Sequence, residues 1–214
     1  TLFPYTTLFR SYYKFLLKVK QISVNPLLKH KSLKTAKKVQ IPFSEKELQD
    51  VFSDNDYSND FEGIRNRFVI ELFYTTGIRR AELINLKLNS VNEIQKTIRV
   101  VGKRNKERII PMLDCTLNLL KLYKEQRNHL EVIKDKEMLI LSKTGNKVSE
   151  SFVYRLINDY FSTVSKKEKK SPHVLRHSFA TYQFKKMLEE IDEYPYAMLQ
   201  LAMMMGHSHY NTTL

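Results

Sequence analysis

The sequence predicts an α+β fold, mostly helical with a small three-stranded antiparallel sheet on one side. Three observations lead there. Capped segments with helical periodicity recur along most of the 214 residues. Thr97–Val101 and Arg108–Pro111 are rich in β-branched residues and flank the basic turn Gly102–Glu107, a hairpin pattern. A further apolar run, Met138–Leu141, is closed by Thr144-Gly145-Asn146 and reads as the third strand.

The elements follow in order. Thr1–Ser11 resembles a translated sequencing-library adapter, so residues 1–11 are set aside as a non-native segment. Tyr13, Phe15, Leu16 and Val19 have helical spacing, and Asn25-Pro26 breaks that helix. Residues 29–40 are polar, basic and weakly periodic, as in a linker. Ser44-Glu45-Lys46-Glu47 is a capping box that starts a helix carrying Leu48 and Val51 inward. Ile64–Thr75 places Phe68, Val69, Leu72 and Phe73 together, and Gly77 can end that helix. Arg80–Leu86 restarts as a short helix. After the hairpin come helices over Leu117–Leu130 and Phe152–Phe161. Pro172 suits the first turn of a helix through Met187. A last helix, Tyr196–Met205, is apolar enough to be buried and is ended by Gly206.

Composition narrows the partner. The formal charge is +13 and the isoelectric point is about 9.6. Eight lysines and no acidic residue lie between Ser11 and Lys38, and the first carboxylate is Glu45. A second basic cluster is Lys166-Lys167-Glu168-Lys169-Lys170. One such run reads as solvated surface; two runs on a strongly basic chain favour nucleic acid. The single cysteine, Cys115, excludes an internal disulfide, suits a cytoplasmic location and reads as a small core residue. No apolar stretch approaches the roughly 20 residues that span a bilayer, so no membrane partner is expected.

Four segments carry chemistry-bearing residues. Gly77-Ile78-Arg79-Arg80-Ala81-Glu82-Leu83 places Arg79 just after a helix end and Glu82 on the same face three residues on. A guanidinium there can meet two phosphate oxygens with its planar fork; the pair also has the form of an exposed i, i+3 ion pair. Gly102-Lys103-Arg104-Asn105-Lys106-Glu107-Arg108 is a turn rich in cations, which on a hairpin are ordinarily solvated. Pro172-His173-Val174-Leu175-Arg176-His177-Ser178-Phe179-Ala180-Thr181 puts His173 and Arg176 on one helical face, an imidazole for proton transfer beside a guanidinium for phosphate. Gly206-His207 has the form of a C-cap glycine followed by a dipole-favoured histidine.

Taken together and in this order, the four segments resemble the active site of the tyrosine recombinases, the family of phage integrases and Xer-type recombinases. The resemblance covers roughly Tyr12–Leu214. It implies that residues 12–40 are the end of an N-terminal core-binding domain with its basic tether, and 41–214 a catalytic domain of mostly helical recombinase type. It implies catalytic roles for Arg79, Lys103, His173, Arg176 and His207. Arg79 and Arg176 would hold the scissile phosphate, Lys103 would protonate the departing 5′-oxygen, and His207 would donate a hydrogen bond. Glu82 would support Arg79, and His177 would pack behind the site. Arg104, Lys106 and Arg108 would contact DNA.

The family's nucleophile lies nine residues after the histidine of Gly-His, here position 216, past Leu214; Tyr210 stands three residues after His207 and is not that tyrosine. The expectation is therefore a chain cut before its nucleophile and inactive alone. The intact enzyme would form a 3′-phosphotyrosyl link and act as a multimer on double-stranded DNA, with no metal or other cofactor. A non-catalytic DNA-binding protein of the same fold is the alternative. Two departures from the pattern stand out. Arg104 replaces a commoner glycine, and Lys185–Met204 is longer than in typical Xer members, as in a divergent mobile-element integrase.

Overall fold

The computed structural model describes residues 5–28, 40–53, 57–102, 105–190 and 193–206, with side chains from residue 8 onward. The chain divides into two compact units, Thr1–Val39 and Gln40–Leu214. In the first, helix α1 spans Tyr5–Lys18 and so begins within the segment set aside above. Its Leu8, Phe9, Tyr12 and Phe15 are exposed.

The second unit is built around one buried helix. Helix α2 (Glu45–Val51) starts at the expected capping box: Ser44 Oγ accepts from the Glu47 N–H and the Glu47 carboxylate accepts from the Ser44 N–H. Asp60 caps α3 (Phe61–Thr76), accepting from the Gly63 N–H at 2.8 Å. Helix α3 buries residues around most of its circumference, including Ile64, Phe68, Val69, Leu72 and Phe73. A helix apolar on all sides belongs in the middle of a domain, and α3 packs on both α5 (Asp114–Asn128) and α7 (Pro172–Glu190). Even Arg65 is buried on it, its guanidinium lying 4.6 Å from the Phe152 ring centroid and 5.5 Å from that of Phe61. Between them in sequence lie α4 (Arg80–Ile84), a 3₁₀ turn over Leu88–Ser90, and the sheet.

The sheet has three antiparallel strands in the order β1 (Val91–Asn92), β2 (Thr97–Val101) and β3 (Glu107–Pro111). Ile98, Val100 and Ile110 face the core; Arg99, Val101 and Ile109 face out. The hairpin register pairs Val100 with Arg108 and Ile98 with Ile110. The count of strands matches the expectation, but the third is β1 rather than Met138–Leu141. Leu139, Ile140 and Leu141 are all buried, which a half-exposed strand with period two does not allow. Their backbone is held elsewhere. The Leu139 N–H donates to Leu86 O at 2.8 Å, and the buried Tyr123 hydroxyl donates to Leu139 O and accepts from the Leu141 N–H, each at 3.0 Å. Two-residue β1 is too short to leave a pattern in the sequence.

Helices α6 (Glu150–Val164), α7 and α8 (Tyr194–Met205) complete the unit. Pro172 opens α7 as expected, and Phe179 and Ala180 pack against Leu201 and Met205 of α8. Helix α8 is not buried throughout: Leu199, Met203 and Met204 are exposed, and only the face with Ala197, Met198, Leu201, Ala202 and Met205 is covered. Cys115 is exposed as well, because α5 turns Thr116, Leu117, Leu119, Leu120 and Tyr123 inward and position 115 falls on the other side. Within the second basic cluster, Lys167 reaches back to the Glu47 carboxylate and lies over the Phe43 ring, so this lysine ties the segment before α7 to the start of α2. Among the described residues no helix is long and apolar enough to cross a membrane.

Two outcomes follow. Tyr123→Phe leaves one buried carbonyl and one buried N–H without their partner and should lower unfolding free energy by about 1–3 kcal/mol in a urea titration. Glu47 has its carboxyl lowered to about 2: burial raises it, but hydrogen bonds from Lys167, Ser165 and Ser44 prevail. A carboxyl lowered on folding contributes stability that is present above its ordinary value of 4.5 and lost as pH falls towards 2. Glu47→Gln should flatten that part of the stability–pH curve.

Candidate active site

The site is assembled where two helix ends meet the start of a third and one edge of the sheet. Helix α3 ends on Gly77, which takes a left-handed conformation at φ 55°. A side chain there would also strike the Phe179 ring, whose Cδ1 stands 2.3 Å from where a Cβ would be. The chain then extends through buried Ile78 to Arg79, the N-cap of α4. Arginine is a poor N-cap; the orphan amide is served instead by Glu82, whose Oε2 accepts from the Arg79 N–H at 2.9 Å.

Glu82 is the centre of the arrangement. Its Oε1 also accepts from Arg79 Nη1 at 2.8 Å, while Arg108 Nη1 and Nη2 donate to Oε1 and Oε2 at 2.6 and 2.8 Å. Four hydrogen bonds thus converge on one carboxylate that is only 5% exposed. Burial pushes its carboxyl upward, but the hydrogen bonds from Arg108 and Arg79 outweigh this and hold it below the usual value.

The remaining donors reach the end of α8. Arg79 Nη2 donates to Gly206 O at 2.7 Å. Arg176, 6% exposed on α7, donates from Nη2 to Met205 O at 2.6 Å and from Nη1 to Gly77 O. Gly77 O and Met205 O belong to C-terminal turns, where carbonyls lack helical partners and carry partial negative charge. Gly206 is left-handed at φ 63°, and its Cα rests on the Arg108 guanidinium: a Cβ would lie 3.0 Å from Nη1. Gly102 closes the other side, where a Cβ would lie 3.2 Å from Glu82 Oε1.

Three guanidiniums around one carboxylate leave an excess of positive charge. Arg176 registers it: its ionisation is lowered first by burial and then by Arg79 and Arg108. Glu82 alone does not relieve it, so an oxyanion placed between Arg79 and Arg176 would be stabilised. His173, in the first turn of α7 one turn before Arg176, is lowered too, by burial first and then by His177 and Arg176. It is therefore largely neutral near pH 7, able to accept a proton or donate one. Both histidines retain access to solvent, His173 more than His177.

Of the residues singled out in the sequence, the structure brings Arg79, Glu82 and Arg176 together, with His173 alongside. Lys103, Arg104, His207 and Tyr210 lie outside the described residues. Their neighbours Gly102 and Gly206 both stand at the site. Lys106 is exposed on the turn. Arg108 is placed differently from expectation: it points inward, with both terminal nitrogens on Glu82 rather than at the surface. A signal for this was present. Arg108 and core residue Ile110 share strand parity, so they share a face. The carbonyls of Gly77, Met205 and Gly206 were not foreseen, because no side chain announces them.

Arg79 at the start of α4 and Arg176 on α7 thus both donate to the C-terminal end of α8. Residues 44–214 match the Phage integrase family. The chain belongs to the phage integrase family. The tyrosine recombinase XerC of Chlorobaculum parvum is 30% identical, over 95% of this chain and 64% of that protein. The tyrosine recombinase XerD of Staphylococcus aureus is 33% identical, over 95% of this chain and 66% of that protein. The chain thus spans just under two thirds of the length of these curated relatives. Among solved structures, the XerH site-specific recombinase in a post-cleavage complex with a palindromic difH substrate superposes with a TM-score of 0.69 at 24% identity, over 82% of this chain and 49% of that one. The Tn1549 transposon integrase in complex with circular intermediate DNA gives 0.67 at 20% identity, over 95% and 70%. At these identities the likeness establishes the fold.

The buried carboxylate yields a prediction. Glu82→Ala leaves Arg79 and Arg108 uncompensated and should cost roughly 3 kcal/mol or more of unfolding free energy. Glu150→Ala breaks the exposed Arg80–Glu150 pair between α4 and α6 and should change stability by less than about 1 kcal/mol in the same denaturation experiment.

Proposed function

We propose that this chain is the catalytic portion of a site-specific DNA recombinase that cleaves and rejoins strands through a 3′-phosphotyrosyl intermediate. The observation that carries the reading is the convergence of Arg79 and Arg176 on Met205 and Gly206, immediately before His207. In this reading Arg79 and Arg176 hold the non-bridging oxygens of one phosphate as charge builds on them. The nucleophile is a tyrosine at position 216, nine residues after His207. Its oxygen attacks phosphorus, the bond to the 5′-oxygen breaks, and that oxygen takes a proton. Lys103, from the hairpin turn, supplies the proton, and His173 manages the proton of the attacking hydroxyl. His207 donates one hydrogen bond. Transesterification conserves the bond energy, so religation is the same step in reverse.

Double-stranded DNA is the substrate, in support of which stand the charge of +13 and the two recombinase structures solved with DNA. Lys106, exposed on the hairpin turn, and Arg104 meet its backbone. The protein works as a multimer on DNA and acts in the cytoplasm. The long segment between Lys185 and Met204 suits a divergent integrase of a mobile element.

The test uses the protein continued through position 216 and a nicked suicide duplex that traps the covalent complex. Arg79→Ala and Arg176→Ala should each slow trapping by at least about 10²-fold while DNA binding is largely kept. His207→Ala should cost less, since it removes one neutral donor. A 214-residue chain should trap no DNA. Trapping by that chain, lost in Tyr210→Phe, would contradict the assignment of the nucleophile.

A further inference from the structure

We propose that Arg108 is a positioning residue for strand cleavage, holding Glu82 from the sheet so that Arg79 and the end of α8 keep their places. The proposal rests on the recombinase reading above. Arg108 differs from its basic neighbours on the turn in burial and partners. Its side chain is 15% accessible, against 34% for Arg79, and it hydrogen-bonds both oxygens of Glu82. It stands opposite buried Val100 in the hairpin register, on the strand face that carries Ile110 into the core.

The geometry explains why an arginine is needed. Glu82 must present Oε1 to Arg79 Nη1 and Oε2 to the Arg79 N–H at once, which fixes the plane of its carboxyl group. A guanidinium fork approaching from β3 holds that plane with two parallel hydrogen bonds; an ammonium holds it with one contact. Arg108 also supports the opposite wall. Its Nη1, Cδ and Cζ lie 3.0, 3.2 and 3.3 Å from where a Gly206 Cβ would be, so the α8 C-cap lies directly on it. One side chain therefore sets the spacing between the arginine that grips phosphate and the helix end that precedes His207.

Removing Arg108 changes the balance on Glu82. Among the described residues, the charged groups facing that carboxylate are Arg79 at the start of α4, Arg108 on β3 and Arg176 on α7. On α6, Glu150 is paired with Arg80. Burial already favours the protonated form of Glu82, and the hydrogen bond from Arg108 is the first of the effects that oppose it. Without that bond the carboxyl rises, and a protonated Glu82 no longer orients Arg79 as an anion does. A displacement of reacting groups by about 1 Å is enough to cost on the order of 10²-fold in rate.

The experiment compares Arg108→Gln, Arg108→Lys, the double variant Glu82→Gln/Arg108→Gln and Arg79→Ala in the protein continued through position 216. Suicide-substrate cleavage is followed at saturating DNA from pH 5.5 to 9, with DNA affinity measured at several salt concentrations. Arg108→Gln should bind DNA with an unchanged salt slope and cleave about 10²-fold more slowly near neutrality. Its rate should recover as pH rises, because the carboxylate form of Glu82 returns. That acid limb should vanish in the double variant, and Arg108→Lys should restore at least tenfold of the loss.

Parental cleavage by Arg108→Gln overturns the proposal. So does a salt slope reduced by about 0.9 with cleavage unimpaired, the signature of a lost phosphate contact. So does a rate equally low at every pH in both Arg108→Gln and Arg108→Lys, the mark of a merely structural residue. If Arg108→Gln does not fold, Arg108→Lys decides alone: a slowed rate with an acid limb supports the role, and a parental rate and profile overturn it. Cleavage at parental rate by Arg79→Ala would instead overturn the role of Arg79, and no covalent complex from the parental protein would sink the recombinase reading, whatever the Arg108 variants do.

Discussion

The buried carboxylate of Glu82 is the interaction on which the rest of the site depends. An isolated charge this far from water would neutralise itself. Here it stays ionised because Arg79 and Arg108 supply four hydrogen bonds between them. The ion cluster is costly to bury and adds little stability compared with an apolar core. What it provides is placement: it joins the α3–α4 junction to β3 at fixed distances, and a site that stabilises charge without reorganising needs that rigidity.

Around this cluster the fold arranges helix ends rather than helix faces. The C-terminal turns of α3 and α8 offer Gly77 O, Met205 O and Gly206 O to guanidinium donors. The arginines thereby cap two helices, and the caps in turn aim the arginines. Each of these ends needs a left-handed residue, and both are glycine, at φ 55° and 63°. At both positions space is short as well, since the Phe179 ring abuts Gly77 and the Arg108 guanidinium abuts Gly206. The apolar packing of Phe179 and Ala180 on Leu201 and Met205 keeps the two elements that carry the second arginine and the helix end in register.

Much of this was legible in the chain because the residues concerned are punctuation. The Ser44–Glu47 capping box, Gly77, Pro172 and Gly206 mark helix ends by chemistry that does not depend on distant contacts. The joining of Arg79, Glu82 and Arg176 was legible through the resemblance of their motifs in combination, since each motif alone has an ordinary explanation. What could not be read depends on tertiary contact. Met138–Leu141 looks like a strand until its backbone is taken by Leu86 and the Tyr123 hydroxyl. Cys115 looks like a core residue until the inward face of α5 is known. Arg108 looks like one more surface cation of a basic turn, and only strand parity with Ile110 separates it from Lys106.

On the proposed recombinase reading, one phosphate is gripped by Arg79 and Arg176 together while Glu82 holds the frame. The direct measurement is a crystal structure of the protein continued through position 216 with a cleavage-site duplex. The expected result is a single phosphate whose non-bridging oxygens lie within about 3 Å of both guanidiniums, with Arg79 and Arg108 still on Glu82. A scissile phosphate bound to the hairpin turn, with Arg79 and Arg176 still donating to the α8 carbonyls, would contradict it, as would Arg108 swung off Glu82 onto the DNA.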